Sequence, residues 1–349
     1  MDNPLAADLD HVLAHTEEVW EMVRGERIFI TGGTGFVGTW VTESLLWANR
    51  RLDLGISAVL LTRNPGAFLR RSPHLATDPA VTLWVGDGQT FTFPEGNFSF
   101  VIHLATERSY PPSAQRLVSS LEADVATTRR VLELARTRGT RRLLFTSSGA
   151  VYGKQPADLL HIPEDYAGAP LPSDVNSVYG QSKRISEFLC SVWSHVYGFD
   201  AIIGRLFAFA GPLLPLDANY VVGNFVRDAM AGGPVRIGSD GTPYRSYLYA
   251  ADLAIWLWVL LIRGEGGTPY NVGSPHEISI VDLARRVVRV AAAGAEIRIA
   301  RQPVPGSPPS RYVPATDRAT LLGLRPWIQL DEAIRRMCEW HRNTHLPGG

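Results

Sequence analysis

The chain has 349 residues, 45% hydrophobic and 19% charged, with 34 basic residues balanced by 34 acidic ones. That size supports a large globular core, in one large domain or two smaller ones. Zero net charge leaves no global electrostatic footprint for nucleic acid or an anionic membrane. Two cysteines, Cys190 and Cys338, are too few for a disulfide framework and have no metal-ligand spacing, so no metal site is expected and a reducing cytoplasm is the natural setting.

Residues 1–25 carry acids throughout and lack the continuous apolar segment of an export signal, so they read as an N-terminal helical extension. Arg27 to Thr31 then reads as a buried strand. It runs into Thr31-Gly32-Gly33-Thr34-Gly35-Phe36-Val37-Gly38 and an amphipathic helix to about Asn49. The glycine spacing has a mechanism. Gly32 permits a tight turn, Gly35 lets the backbone approach a pyrophosphate, and Gly38 allows close packing of the helix, while the helix N-terminus at Phe36 and Val37 offers amide donors.

Further apolar strands are expected at about Ser57–Thr62, Val81–Val85, Phe100–His103, Arg142–Thr146 and Ala201–Arg205, with helical patterns between most of them. This alternation predicts an α/β fold, a Rossmann-type doubly wound parallel sheet. The second strand ends at Thr62-Arg63-Asn64, where an adenosine ribose is expected to lie. An acid there suits a free 2′-hydroxyl and a cation suits a 2′-phosphate, so Arg63 leans toward NADP over NAD unless it is only a solvated arginine. Thr62 and Asn64 are further polar contacts. Asp87, after the third strand, either accepts from the adenine amino group or shapes a turn.

The fifth strand ends in hydroxyls at Thr146-Ser147-Ser148. Ligands of doubly wound sheets bind beyond the carboxyl ends of the strands, so Ser148 is the candidate to share a hydrogen bond with a reacting oxygen, ahead of Thr146 or Ser147. Tyr179-Gly180-Gln181-Ser182-Lys183 places a tyrosine and a lysine four residues apart at a helix start, on one face. An ammonium there favours the phenolate, bringing a phenol of ordinary pKa about 10 toward working pH as an acid/base. Composition supports a role for the lysine, because Lys154 and Lys183 are the only lysines in the chain. Arginine presents its charge differently.

The most apolar later stretch, Ala254–Ile262, is nine residues long. A membrane span needs about 20, so a buried helix is expected and no membrane association. From Phe209 onward the chain is richer in proline and glycine, which implies a smaller, interleaved C-terminal region. Residues 26–208 and 244–273 are assigned to the dinucleotide-binding Rossmann domain, and 209–243 with 274–345 to the substrate-binding region.

Taken together, TGGTGFVG at 31–38, Val101-Ile102-His103-Leu104-Ala105, SSGAVYG at 147–153, YGQSK at 179–183, Arg205 to Pro212, Tyr244 to Asp252, Tyr270-Asn271-Val272-Gly273 and Leu322 to Pro326 make the chain resemble a known family. It is similar to the extended short-chain dehydrogenase/reductase superfamily, specifically the NAD-dependent epimerase/dehydratase family of nucleotide-sugar enzymes. The resemblance implies a nucleotide-diphosphate sugar as substrate, Tyr179, Lys183 and Ser148 as catalytic residues, and a homodimer through the helices after strands four and five. It places Leu104, Ala105, Thr106, Thr146 and Leu206 along the cofactor, and Asn224, Arg245 and Arg311 on the substrate diphosphate.

Departures from the family bear on the reaction. Dehydrating relatives carry an acidic pair between the strand hydroxyl and the Val-Tyr-Gly segment, and decarboxylating relatives keep a glutamate there. Here Gly149 and Ala150 occupy those positions. Ala208 and Asp124 stand where many relatives have asparagine. The expected reaction is 4-epimerisation through a 4-keto sugar, with an NADPH-dependent 4-ketoreductase as the alternative. A non-catalytic NADP-binding interaction protein is the alternative from another class.

Overall fold

The computed structural model describes residues 3–106, 114–218, 220–291 and 294–345. In chain order the elements are α1 (Ala6–Ala14), α2 (Glu17–Glu21), β1 (Arg27–Thr31), α3 (Phe36–Leu52), β2 (Ser57–Thr62), α4 (Pro65–Arg71), α5 (Pro73–Ala76), β3 (Val81–Val85), β4 (Phe100–His103), α6 (Ala114–Thr137), β5 (Arg142–Ser148), α7 (Val178–Tyr197) and β6 (Asp200–Leu206). They continue with β7 (Ala208–Ala210), α8 (Val221–Met230), β8 (Val235–Ile237), β9 (Tyr244–Tyr249), α9 (Ala250–Arg263), β10 (Pro269–Val272), β11 (Glu277–Ser279), α10 (Ile280–Ala291), β12 (Ile297–Ile299), β13 (Arg311–Tyr312), α11 (Asp317–Leu321) and α12 (Leu330–His345).

Seven strands form one sheet in the order β10-β6-β5-β4-β1-β2-β3, with parallel pairing at β1–β2, β2–β3, β1–β4, β4–β5 and β5–β6. The central strands are apolar on both faces through their middles because helices cover both faces of such a sheet. Ile28, Phe29 and Ile30 are fully buried, and Phe29 meets Phe91 and Phe98 at centroid distances of 5.5 Å. The apolar stretch at 254–262 lies in α9, and no helix among the described residues is long and apolar enough to cross a membrane.

The chain divides into two compact units. The first is Met1–Gly153, Gly168–Leu206 and Ala254–Tyr270; the second is Lys154–Ala167, Phe207–Leu253 and Asn271–Gly349. The N-terminal extension belongs to the first unit. Trp20 is fully buried and meets the ring of Trp258 at 4.7 Å, and Trp258 donates its indole N–H to Ser44 at 2.8 Å.

The second unit draws its boundaries differently from the sequence-based division. Residues 154–167 join it because Ile162 donates to Val313 and accepts from Ala315 through the main chain, at 2.9 and 3.0 Å. Asn271 donates its amide to Ile162 and Ala315, and the carboxylate of Glu164 accepts from the Asn271 N–H at 3.0 Å. Its small sheets have the order β11-β9-β13, with β7 also on β9, and β12-β8.

Candidate active site

The glycine turn is built from backbone. Gly32 has φ of +69°, and a Cβ on it would stand 2.6 Å from the Ala105 nitrogen. A Cβ on Gly38 would stand 2.1 Å from the Gly32 carbonyl oxygen. Gly38 therefore brings α3 close to the turn itself. Leu104 and Ala105 donate their amides to the main-chain oxygen and the Oγ1 of Thr31, at 3.1 and 3.2 Å, which fastens the end of β4 to the end of β1. Gly35 is the N-cap of α3, no side chain caps it, and the first turn holds no acid. The first amides of α3, at Phe36 and Val37, thus remain donors, and this cradle fits a dinucleotide pyrophosphate.

At the end of β2 no acid is present. Thr62 is buried, and its Oγ1 accepts from the Asn64 N–H at 3.3 Å. Asn64 caps α4, its Oδ1 accepting from the Ala67 N–H at 2.9 Å. A cap of this kind contributes about 1 kcal/mol. Arg63 is exposed. Asp87 is seen in its turn-shaping role, with Oδ1 accepting from the Gln89 N–H at 2.9 Å.

Tyr179 and Lys183 lie in the first two turns of α7. Lys183 is buried at 3% exposure, donates to the Thr146 carbonyl at 2.9 Å, and has its ammonium 4.8 Å from the Phe145 ring centroid and 6.0 Å from that of Tyr179. This anchors the lysine to the end of β5 and leaves two of its three donors for other partners. Ser148 ends β5 opposite Leu206 of β6, and its Oγ accepts from the Ala150 N–H at 3.2 Å. Gly180 explains how α7 fits here: a Cβ on it would stand 2.6 Å from the Ala150 oxygen. The helix start and the turn after Ser148 touch through backbone.

Three groups that the sequence left without a role, His103, Asp124 and Arg205, support this geometry. The His103 imidazole sits between Thr31 and Thr128, its Nδ1 2.7 Å from Thr31 Oγ1 and its Nε2 3.1 Å from Thr128 Oγ1. Thr128 donates to Ser186 of α7 at 3.1 Å. Burial, helped by the Lys183 charge, pushes the His103 pKa down to about 3, so it is a neutral connector between β1 and α7. Asp124 accepts from Ser182 at 2.9 Å and from Thr106 at 3.2 Å, and this occupies Thr106. Arg205 pairs with Glu187 at 2.7 Å and donates to the Tyr152 hydroxyl at 2.8 Å, tying β6 and α7 to the turn after β5. Glu187 lies one helical turn past Lys183 and was the legible signal for this tie.

In the second unit the expected diphosphate residues do not behave alike. Asn224 directs its side-chain amide at the carbonyls of Leu216 and Ala218, 3.0 Å from each, and so braces that loop. Arg311 pairs in register with Tyr244, and Tyr312 with Arg245. Because successive strand residues point to opposite faces, Arg245 shares a face with Tyr312, and Arg311 shares the other with Tyr244. Ring contacts agree: Arg311 lies 4.4 Å over Tyr244 and Arg245 5.9 Å over Tyr312. The structure therefore does not bring Arg245 and Arg311 together. Arg311 is ion-paired with Glu277. Arg245 donates to the Tyr244 carbonyl at 2.7 Å and, among the described residues, pairs with no carboxylate; burial pushes its pKa down. A cavity of about 400 Å³ lies on the Arg311 side, but its arginines are self-paired, Arg285 with Asp282 and Arg286 and Arg289 with Asp331.

Comparisons with known proteins agree with the fold. UDP-glucuronic acid decarboxylase 5 of Arabidopsis thaliana is 28% identical over 319 residues, covering 90% of this chain and 88% of that protein. The UDP-glucose 4-epimerase of Thermus thermophilus, solved with NAD, superposes with a TM-score of 0.73 at 25% identity over 90% of this chain and 99% of its own. The UDP-glucose 4-epimerase of Thermotoga maritima superposes with a TM-score of 0.76 at 20% identity over 91% and 99%. The profile of the NAD dependent epimerase/dehydratase family matches residues 28–273, which takes in the glycine turn, the Ser148 strand and the Tyr179/Lys183 helix, and the chain belongs to that family.

Proposed function

We propose that the chain is an NAD(P)-dependent nucleotide-sugar 4-epimerase working through a 4-keto sugar. The observation that carries this reading is the buried Lys183 beside Tyr179, anchored at the hydroxyl-bearing end of β5, with Gly149 and Ala150 where another acid or base would stand. A nicotinamide cofactor bound on the glycine turn would supply a reversible hydride acceptor for carbon 4. Tyr179 receives the proton of the 4-hydroxyl and returns it. Lys183 favours the phenolate and would hold the nicotinamide ribose, and Ser148 orients the oxygen. Arg245, cationic, half-buried and without a carboxylate partner among the described residues, fits the diphosphate better than Arg311 does.

Gly149 and Ala150 argue against elimination, which needs a base for the carbon-5 proton, and they replace the glutamate that decarboxylating relatives keep there. The decarboxylase relatives remain compatible with hydride transfer at carbon 4. A 4-keto group lies β to the carboxylate of a uronic acid, so their reaction is open to the same oxidation. The absent acid at the end of β2 and the presence of Arg63 favour NADP, and with it the second reading, a 4-ketoreductase using exchangeable NADPH.

The assembly we propose is a homodimer through α6 and α7. Ile185, Phe188, Val192 and Val196 recur along one face of α7 and are 42%, 70%, 40% and 60% exposed. Such a stripe suits burial against a second copy. Light scattering should give twice the chain mass, and Phe188→Glu should give monomers.

The experiment supplies UDP-hexoses to the purified protein and reads products by mass spectrometry and nuclear magnetic resonance, with absorbance followed throughout. Carbon-4 epimers with no net change in nicotinamide absorbance support the epimerase. Consumption of reduced cofactor with a 4-keto sugar supports the reductase. A 4-keto-6-deoxy product, or carbon dioxide from UDP-glucuronic acid, contradicts both.

A further inference from the structure

The NADP preference above rests on Arg63, and the structure places a second cation, Arg71, against the glycine turn. α4 is fixed at its start and in its middle: Asn64 caps it, Pro65 opens it, and Phe68 is buried at 1% exposure. Its last residue, Arg71, consequently lies against the glycine turn and donates a guanidinium N–H to the Thr34 carbonyl. Arg70 folds back the other way, with Nη1 3.6 Å from where a Gly66 Cβ would stand, beside the Asn64 side chain. The stretch from Thr31 to Ala76 contains only two acids, Glu43 and Asp53, and five arginines. Glu43 is buried and bonded to Asn3 and His74, and Asp53 is the C-cap of α3. Among the described residues neither Arg70 nor Arg71 pairs with a carboxylate.

A guanidinium carries five donors in a fixed fork, and one bond to a carbonyl leaves a second edge for another acceptor. The adenosine ribose of a dinucleotide on this turn lies between the turn and the end of β2. Arg71 lies at the turn, and Arg63 is the residue that follows β2. We propose that Arg71 is a cofactor-selecting residue, held on Thr34 so that it and Arg63 together bind the 2′-phosphate of NADP. This rests on reading the first unit as a dinucleotide site and goes beyond it by naming which cofactor is selected and by what. Arginines in the last turn also interact favourably with the negative end of the helix dipole, but that role would leave NADPH and NADH equally affected.

The test is binding, so it does not depend on the sugar substrate. Nucleotide-stripped full-length protein is titrated with NADPH and with NADH, followed by nicotinamide fluorescence, and 2′,5′-ADP is compared with 5′-AMP as competitor. Native protein should prefer NADPH and 2′,5′-ADP by at least about tenfold, the scale of one charge-assisted phosphate contact. Arg71→Ala should weaken NADPH by about tenfold or more and change NADH by less than about twofold, with Arg71→Lys between. Native preference for NADH overturns the inference while leaving hydride chemistry intact. Equal loss of both cofactors in Arg71→Ala, or loss confined to Arg63→Ala, also overturns it. Unchanged thermal melting of Arg71→Ala excludes misfolding as the cause.

Discussion

In the first unit the functional geometry is set by main chain: Gly32 against Ala105, Gly38 against Gly32, Gly180 against Ala150, and Lys183 on the Thr146 carbonyl. In the second unit it is set by which face of a short strand a side chain takes, as Arg245 and Arg311 show. Backbone contacts of the first kind demand glycine at fixed spacing and leave a readable trace. Side-chain placement of the second kind depends on register, and a one-residue shift exchanges the faces.

The largest effect expected is at the chemistry itself. Tyr179→Phe should keep cofactor binding and lower turnover at least about a hundredfold, since general acid/base catalysis contributes about 10²–10⁴-fold. Near-native turnover would remove Tyr179 from the mechanism. The backbone claim is sharpened by Gly38→Ala, whose methyl must displace the turn. A loss of about 3 kcal/mol, the upper end of overpacking, together with lost cofactor binding, is expected in denaturant melts and fluorescence titration. Retained stability and binding would show that the turn yields.

How much of this was legible follows from the same contrast. Strands β1 to β4 stand at the bounds expected from sequence; β1, β2 and β4 are buried almost throughout and read as apolar runs ended by turn residues, and β3, half-exposed at the sheet edge, is bounded by turns. The nine-residue apolar stretch fell inside a helix for the same reason. Lys154–Ala167 could not be assigned to the second unit, since its ties to Val313, Ala315 and Asn271 bridge more than a hundred positions. The strands β7, β8 and β11 to β13 are too short for any period to emerge. Arg71 was invisible because an exposed arginine in an arginine-rich chain carries no signal until its neighbour is known.

His103 gives a pH test of the buried connector. Its pKa in the folded state is about 3, against an ordinary 6.5, so the folded protein holds fewer protons between those values and unfolding takes one up. The stabilisation is therefore full above pH 6.5 and is lost as pH falls from 6.5 toward 3, at up to about 1.4 kcal/mol per pH unit for one proton. Urea melts from about pH 7 to about pH 4 should show this slope, and His103→Gln should flatten it. An unchanged slope would assign acid sensitivity to other groups.

The smallest effect bears most on the second unit. Arg245→Ala should raise KM for the nucleotide sugar at least about tenfold with little change in kcat, whereas Arg311→Ala should change it by less than about threefold, because only the former removes a diphosphate contact. The reverse ranking would mean that Arg311 leaves Glu277 when substrate binds.

The central claim is that a hydride leaves carbon 4 and returns to it while Tyr179 carries the proton. Deuterium at carbon 4 of UDP-glucose follows that hydride directly. The expected product is UDP-galactose with the deuterium still on carbon 4, formed with no net change in nicotinamide absorbance. Epimer that has exchanged its deuterium with solvent, or a product altered at carbon 5 or 6, would contradict it.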